Sequence, residues 1–158
     1  MIRAAVLTIS DSCARGERKD VSGETLGEVL GEHGFEVCEK KIVADDREAI
    51  ANELRRLADS AAVDLVFTTG GTGLGPRDVT PEATQSVCER MAPGLSEMMR
   101  AQGQSKTKNA ALSRGVAGIR NGTLIINLPG SPKGVRESLE IILDVLPHAV
   151  EMLHGGGH

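Results

Sequence analysis

Apolar residues fall along this chain in two alternating arrangements: short unbroken runs, and single positions three or four apart. Residues 2–9, Ile-Arg-Ala-Ala-Val-Leu-Thr-Ile, are apolar almost throughout, which predicts a strand buried on both faces. Residues 22–33 then set Leu26, Val29 and Leu30 on one helical face. Residues 35–43 predict a second strand of mixed character, nearer a sheet edge, and residues 46–59 return to helical spacing with Ile50, Leu54 and Leu57. Another apolar strand spans 64–69. Thr80 and Pro81 suit the N-cap and first position of a short helix. Pro93-Gly94 precedes a helix carrying Leu95, Met98 and Met99, and the polar segment 102–108 predicts a surface loop. Two short strands, 116–119 and 123–128, flank Arg120-Asn121-Gly122, which has hairpin-turn chemistry. After Pro129-Gly130-Ser131-Pro132, a long helix places Val135, Leu139, Ile142, Leu146, Val150 and Leu153 on one side, with Pro147 expected to kink or break it.

Strands alternating with helices predict an α/β fold: three layers, α/β/α, around a mostly parallel sheet with a small hairpin insertion. No internal repeat or linker interrupts the 158 residues, so residues 1–158 are expected to form a single domain. Ligands of such sheets sit at the carboxyl ends of the strands. Ser10-Asp11, Asp45, residues 70–78 and residues 129–131 all follow strands directly, so their polar groups are expected to meet on one edge.

Thr68-Thr69-Gly70-Gly71-Thr72-Gly73-Leu74-Gly75-Pro76-Arg77-Asp78 places four glycines within six positions between a strand and a helix start. A plain strand-to-helix turn needs one or two. Glycines bring bare N–H groups close to a ligand, and N–H dipoles at such a junction favour an anion. Gly70, Gly71, Thr72 and Gly73 are therefore candidate phosphate-binding residues. Asp78 puts a carboxylate beside that anion, where a magnesium ion would be held. The loop is neither a Walker A motif, because Pro76 and Arg77 stand where Lys and Ser or Thr are required, nor a dinucleotide fingerprint, because Pro76 replaces its third glycine.

Composition narrows the partners. A net charge of −4 gives no reason to expect a nucleic-acid or membrane surface. With no Trp or Tyr, and only Phe35 and Phe67, the chain lacks a stacking platform for single-stranded nucleic acid. Cys13, Cys38 and Cys88 have no CxxC or metal-site spacing, which suits free thiols in a reducing cytoplasm. No segment approaches transmembrane length. The tail from Leu153 to His158, two histidines around three glycines, suits a frayed end rather than a metal site.

The glycine loop, continued through Val79-Thr80-Pro81-Glu82-Ala83-Thr84, resembles the signature of the molybdopterin adenylyltransferases, the bacterial MogA/MoaB group and the G domain of gephyrin. The resemblance extends to Leu7-Thr8-Ile9-Ser10-Asp11-Ser12, to Leu112-Ser113-Arg114, and to Ile125-Ile126-Asn127-Leu128-Pro129-Gly130-Ser131-Pro132-Lys133-Gly134, and so covers nearly the whole chain. It implies a homotrimer, magnesium as cofactor, and ATP and molybdopterin as substrates, converted to adenylylated molybdopterin and pyrophosphate. It also implies handover of product to a molybdenum-insertion protein. The Arg77-Asp78-Val79-Thr80-Pro81 wording is closer to the catalytic members than to MoaB-type members, some of which are non-catalytic pterin binders. One departure is Val43-Ala44-Asp45-Asp46, where relatives more usually have Pro-Asp-Glu.

The resemblance implies that Asp78 and Asp45 are the essential, metal-holding aspartates. Asp45 also has a local explanation, as the N-cap of a capping box completed by Glu48. Ser131 before Pro132 suits a helix N-cap, and the resemblance places the molybdopterin-binding serine in the loop Pro129-Gly130-Ser131. Ser113, in the Leu-Ser-Arg motif, is likewise a candidate pterin or phosphate contact. Lys133 would meet phosphate charge or stay a solvated first-turn lysine. Asp11 suits a contact to base or ribose, or a turn. His33 and His148 have no catalytic partner in the sequence, and Met98 and Met99 suit core or subunit interface. No Ser/His/Asp or Cys/His arrangement is visible. That suits adenylyl transfer, because a phosphate monoester, with a second pKa of about 6, attacks without a general base.

Overall fold

The computed structural model describes residues 1–157. Strands β1 (Arg3–Ile9), β2 (Glu36–Val43), β3 (Leu65–Thr69), β4 (Arg90–Met91), β5 (Ala117–Arg120) and β6 (Thr123–Leu128) form one sheet in the order β2-β1-β3-β6-β5-β4. The pairs from β2 to β6 are parallel, while β5 runs antiparallel to β6 and to β4. The apolar alternation of β1 explains the layers. Ala4 and Val6 join a core on one face with Phe67, Ile126, Leu128 and Leu139. Ala5, Leu7 and Ile9 join the other core with Ile50, Leu54, Val66 and Ile125. The short helix α1 (Asp11–Ala14) follows β1; the first face is covered by helices α2 (Val21–Glu32), α5 (Pro93–Gly103), α6 (Pro132–Ile142) and α7 (Leu146–Leu153), and the second by α3 (Arg47–Asp59) and α4 (Thr80–Val87). The expected three-layer arrangement, with a mostly parallel sheet and a hairpin insertion, is what forms. The hairpin turns as its chemistry predicts, with Asn121 and Gly122 at φ of 49° and 81°.

β2 is the edge strand that its mixed pattern predicts, and it carries Glu36, Glu39, Lys40 and Lys41. After it the chain returns past β1 to lay down β3. The direction of winding therefore reverses between β1 and β3, the place in such a sheet where loops diverge and leave a crevice. Asn127 fixes the next strand along. Its buried Nδ2 donates to Thr68 Oγ1 and Thr84 Oγ1 at 3.0 Å each, and its Oδ1 accepts from Val116 N at 3.1 Å.

Several expected details change. The N-cap of α3 is Asp46, which accepts from Ala49 N at 2.9 Å, so Asp45 is not the capping residue. Thr80 lies within α4, whose N-cap position is Val79. Its hydroxyl donates to Gly70 O at 3.0 Å instead of capping. The segment 102–108 belongs partly to α5, and a 3-10 turn, Lys108–Leu112, follows it. β4 is two residues long, too short to leave a periodic signal. The long C-terminal helix breaks at the 3-10 turn Leu143–Val145, and Pro147 falls in the first turn of α7. His154, expected in a frayed tail, closes α7 with its Nε2 3.2 Å from Asp64 Oδ1; His158 lies outside the described residues.

Asp64 anchors the opposite edge of the sheet from the glycine loop. Its side chain is only 6% exposed, and it accepts from Arg3 N at 2.9 Å and Arg3 Nη2 at 3.1 Å. Burial pushes its pKa up, but the Arg3 hydrogen bonds and charge outweigh this and hold it below the ordinary value. Removal of the carboxylate by Asp64→Ala should cost about 3 kcal/mol at pH 7 in denaturant unfolding. The stability from ionised Asp64 is complete above about pH 4. It is lost as pH falls through the depressed folded value. The gap between wild type and Asp64→Asn should therefore close in strong acid; a gap constant with pH would contradict the ionised pair.

Candidate active site

The carboxyl ends of β1, β2, β3 and β6 bring the expected loops together. Gly70 turns the chain at φ +104°, and a Cβ there would strike the carbonyl of Ile9. Its N–H donates to Leu128 O at 3.3 Å. Gly71, at φ +69°, passes so close to Thr80 that a side chain would collide with its hydroxyl. Beyond this turn, the N–H groups of Gly71, Thr72, Gly73 and Leu74 donate to no protein acceptor among the described residues. They form the free edge that suits an anion.

Three aspartates gather beside this edge. Asp11 and Asp45 bracket each other through the backbone: Asp11 N donates to Asp45 Oδ2 at 2.9 Å, and Asp45 N donates to Asp11 Oδ1 at 3.0 Å. The position of a Cβ on Gly71 is 3.2 Å from Asp45 Oδ1, which puts that carboxylate against the glycine loop. Asp78 lies in a hollow that side chains on Gly73 and Gly75 would fill, and its Oδ2 accepts from Gly75 N at 2.9 Å. Burial raises the pKa of Asp45, the N–H of Asp11 opposes this, and the charges of Asp11 and Asp78 raise it further. Asp11 is held below its usual range by hydrogen bonds from Arg77, at 3.1 and 3.0 Å, and by the N–H of Asp45.

Among the described residues no three His, Cys, Asp or Glu side chains converge as a complete metal cage. Magnesium needs less, because it keeps several waters and commonly takes one or two carboxylates together with phosphate oxygens. Asp45 and Asp78 suit that role: two oxygen donors whose mutual repulsion a cation would relieve.

On the other side of the glycine loop lies a cleft of about 380 Å³, lined by Thr72, Gly73, Ser113, Pro129 and Ser131, and floored by α5 and α6. Ser131 caps α6, accepting from Gly134 N at 3.0 Å. Pro129 is fixed by Thr69 Oγ1, which donates to its carbonyl at 2.6 Å. A Cβ on Gly130 would lie 3.3 Å from the Cα of Gly70, so the two loops touch through backbone. Ser113 turns inward, accepting from Gly115 N at 3.2 Å. Lys133 stands 84% exposed, 3.9 Å from Glu137. Among the expected site residues Asp11, Asp45, Asp78, Gly71 and Gly73 surround the acidic side. Ser113, Pro129 and Ser131 surround the cleft, and Lys133 stands outside both.

Sequence reasoning overlooked the arginines. Arg114 Nε donates to Gly73 O at 2.8 Å and its Nη2 to Asp78 O at 2.7 Å, while Nη1 pairs with Glu82 at 2.7 Å. It thereby fixes both ends of the loop that carries Asp78. Arg100 Nη1 donates to Gly115 O at 2.7 Å and shapes the cleft wall. The Leu-Ser-Arg triplet was the available signal for Arg114, whereas the distance of Arg100 from every motif left none.

Such a site lies at the winding reversal of a parallel sheet, the place where α/β proteins of this architecture take their ligands. A family profile described as "Probable molybdopterin binding domain" matches residues 5–148. The chain is 46% identical over 156 residues to the molybdopterin adenylyltransferase of Helicobacter pylori, covering 98% of this chain and 89% of that protein. It is 36% identical over 169 residues to that of Escherichia coli, covering 98% and 86%. Its fold matches the crystal structure of the molybdopterin biosynthesis enzyme MoaB from Thermus thermophilus with a TM-score of 0.92 and 54% identity, covering 98% of each chain. The chain belongs to the MogA/MoaB molybdopterin-binding family, with the fold of the gephyrin G domain.

The shift of capping to Asp46 separates two roles by experiment. Asp46→Ala should cost about 1 kcal/mol of stability. Asp45→Asn keeps an acceptor for Asp11 N but removes a disfavoured charge, so it should raise the melting temperature at neutral pH. The cost of ionised Asp45 grows as pH rises through its raised folded value and vanishes below about pH 4, where both states are protonated. Thermal melts of Asp45→Asn and wild type should therefore converge in acid; a loss of stability at pH 7 would mean that Asp45 is held chiefly by structure.

Proposed function

We propose that this chain is a molybdopterin adenylyltransferase of molybdenum cofactor biosynthesis. The carrying observation is the two-sided site: an acidic side and a cleft that share the glycine loop as a common wall. The cleft suits the pterin, with the phosphate directed at the N-terminus of α6 and Ser131. The free N–H groups of Gly71, Thr72 and Gly73 suit the phosphates of ATP, and Asp11 a contact to its nucleoside. The molybdopterin phosphate attacks the α-phosphorus of ATP, the bond to the bridging oxygen breaks, and pyrophosphate departs. The attacking oxygen is already ionised, so the residues around it need only align two anions and offset their repulsion. Asp45 and Asp78 would hold magnesium, which when bound neutralises charge on the transferring phosphate. Arg114 keeps Asp78 in place for that task.

Pyrophosphate release from ATP, with and without molybdopterin, tests this reading. Release should depend on molybdopterin and magnesium. Asp78→Asn should lower it by at least about 100-fold, with the fold and molybdopterin binding retained. The likeness to MoaB favours a second reading, a pterin-binding protein without turnover, which requires molybdopterin binding and no pyrophosphate.

Assembly as a homotrimer is part of the same proposal. Met99 is buried in the core, but Met98 lines an apolar groove with Leu95, Val145, Ala149 and Met152. Within that groove Val145 is 41% and Met152 50% exposed, an apolar surface of the kind that subunit contacts cover. Light scattering at micromolar concentration should give three times the mass of the chain, and Met98→Glu should reduce it to the monomer. A monomeric wild type would remove the trimer; a trimeric Met98→Glu would move the interface elsewhere.

A further inference from the structure

The cleft contains one polar side chain that the fold leaves unsatisfied and one carboxylate held only by a long, exposed ion pair. Ser96, on α5, is 3% exposed, and its Oγ is the one fully buried side-chain polar atom among the described residues that lacks a hydrogen-bond partner. Glu137, on α6, has a side chain only 23% exposed. Its carboxylate accepts no hydrogen bond from the chain among the described residues, and the nearest cation, Lys133 Nζ, is 3.9 Å away. Both residues line the cleft, among Met99, Leu112 and Ile141. A buried hydroxyl without a partner costs stability, and a carboxylate in the same cleft with no hydrogen-bond donor from the chain among the described residues is left with acceptor capacity to spare. Two such groups facing one cleft indicate a ligand that would satisfy both.

We infer that Glu137 and Ser96 form the specificity end of the cleft, where they read the 2-amino-4-oxo-pyrimidine edge of the ligand. This rests on the reading of the cleft as the pterin site. A carboxylate offers two adjacent acceptors, which match the ring N–H and the exocyclic amine presented side by side on that edge. The Ser96 hydroxyl supplies a hydrogen bond to a remaining heteroatom of the ring. Spacing supports the arrangement. Glu137 is six residues beyond Ser131 along α6, about 9 Å at the helical rise. A phosphate at the helix N-terminus and a fused ring extending along the helix would therefore bring the pyrimidine edge to Glu137. The 2-oxo analogue carries an oxygen in place of the amine and would set it against the carboxylate, so the site also rejects by repulsion.

The test uses two stable probes, 6-hydroxymethylpterin phosphate and its 2-oxo counterpart, 6-hydroxymethyl-lumazine phosphate, titrated into the wild-type chain without ATP. The wild type should prefer the pterin by on the order of 100-fold. Glu137→Gln presents one acceptor and one donor, so it should reduce that preference to about threefold or less. Ser96→Ala should weaken pterin binding about 10-fold. It should leave the melting temperature of the unliganded chain unchanged or raised, because the hydroxyl it removes has no partner there. Equal affinity of the wild type for both probes, or an undiminished preference in Glu137→Gln, would overturn the assignment and leave the cleft a pterin site. Unchanged pterin affinity in Ser96→Ala would overturn the part given to Ser96. Binding of neither probe by the wild type would overturn the pterin reading of the cleft, and this inference with it.

Discussion

The site depends on backbone packed against backbone at Gly70. Three strands end there together: β1 presents the carbonyl of Ile9, Gly70 directly follows β3, and the loop after β6 runs from Leu128 to Gly130. No side chain fits between them. A substitution at Gly70 would have to overcome both a collision with main chain, which cannot rotate away, and a positive φ. The acidic side and the cleft therefore have a common origin. The loop after β3 and the loop after β6 touch at this point, so each side chain they carry is placed relative to the other within a few ångströms.

Electrostatics then distinguishes the aspartates. Asp11, with two hydrogen bonds from Arg77, is settled as a charged group. Asp45 is not, because burial and two neighbouring carboxylates make its charge unfavourable in the folded chain. An unfavourable charge held rigidly by main-chain hydrogen bonds is suited to accepting a counter-charge, since no reorganisation is needed when it arrives. In the proposed function, a magnesium ion at this position would relieve that unfavourable charge.

The layered fold and the edge on which the polar loops meet were legible because they follow from period and order: apolar runs, helical spacing, and loops that directly follow strands. Capping was less legible. Asp45 and Asp46 are adjacent aspartates before the same helix, and Asp45 is drawn away from the cap by a partner 34 positions earlier in the chain, Asp11. Thr80 shows a similar ambiguity, as a threonine before proline can cap a helix or lie inside its first turn. Arg100 was illegible for another reason. Its contact with the Gly115 carbonyl depends on what lies across the cleft wall from it, and no local pattern records such a partner.

The two borders of the sheet are unequal. One is β2, studded with Glu36, Glu39, Lys40 and Lys41; the other is β4, a ladder only two residues long. Charged side chains discourage another strand from docking along the first, and the second offers too few backbone groups to template one. Both borders thereby discourage the edge-to-edge pairing that leads to fibres, one by charge and the other by brevity.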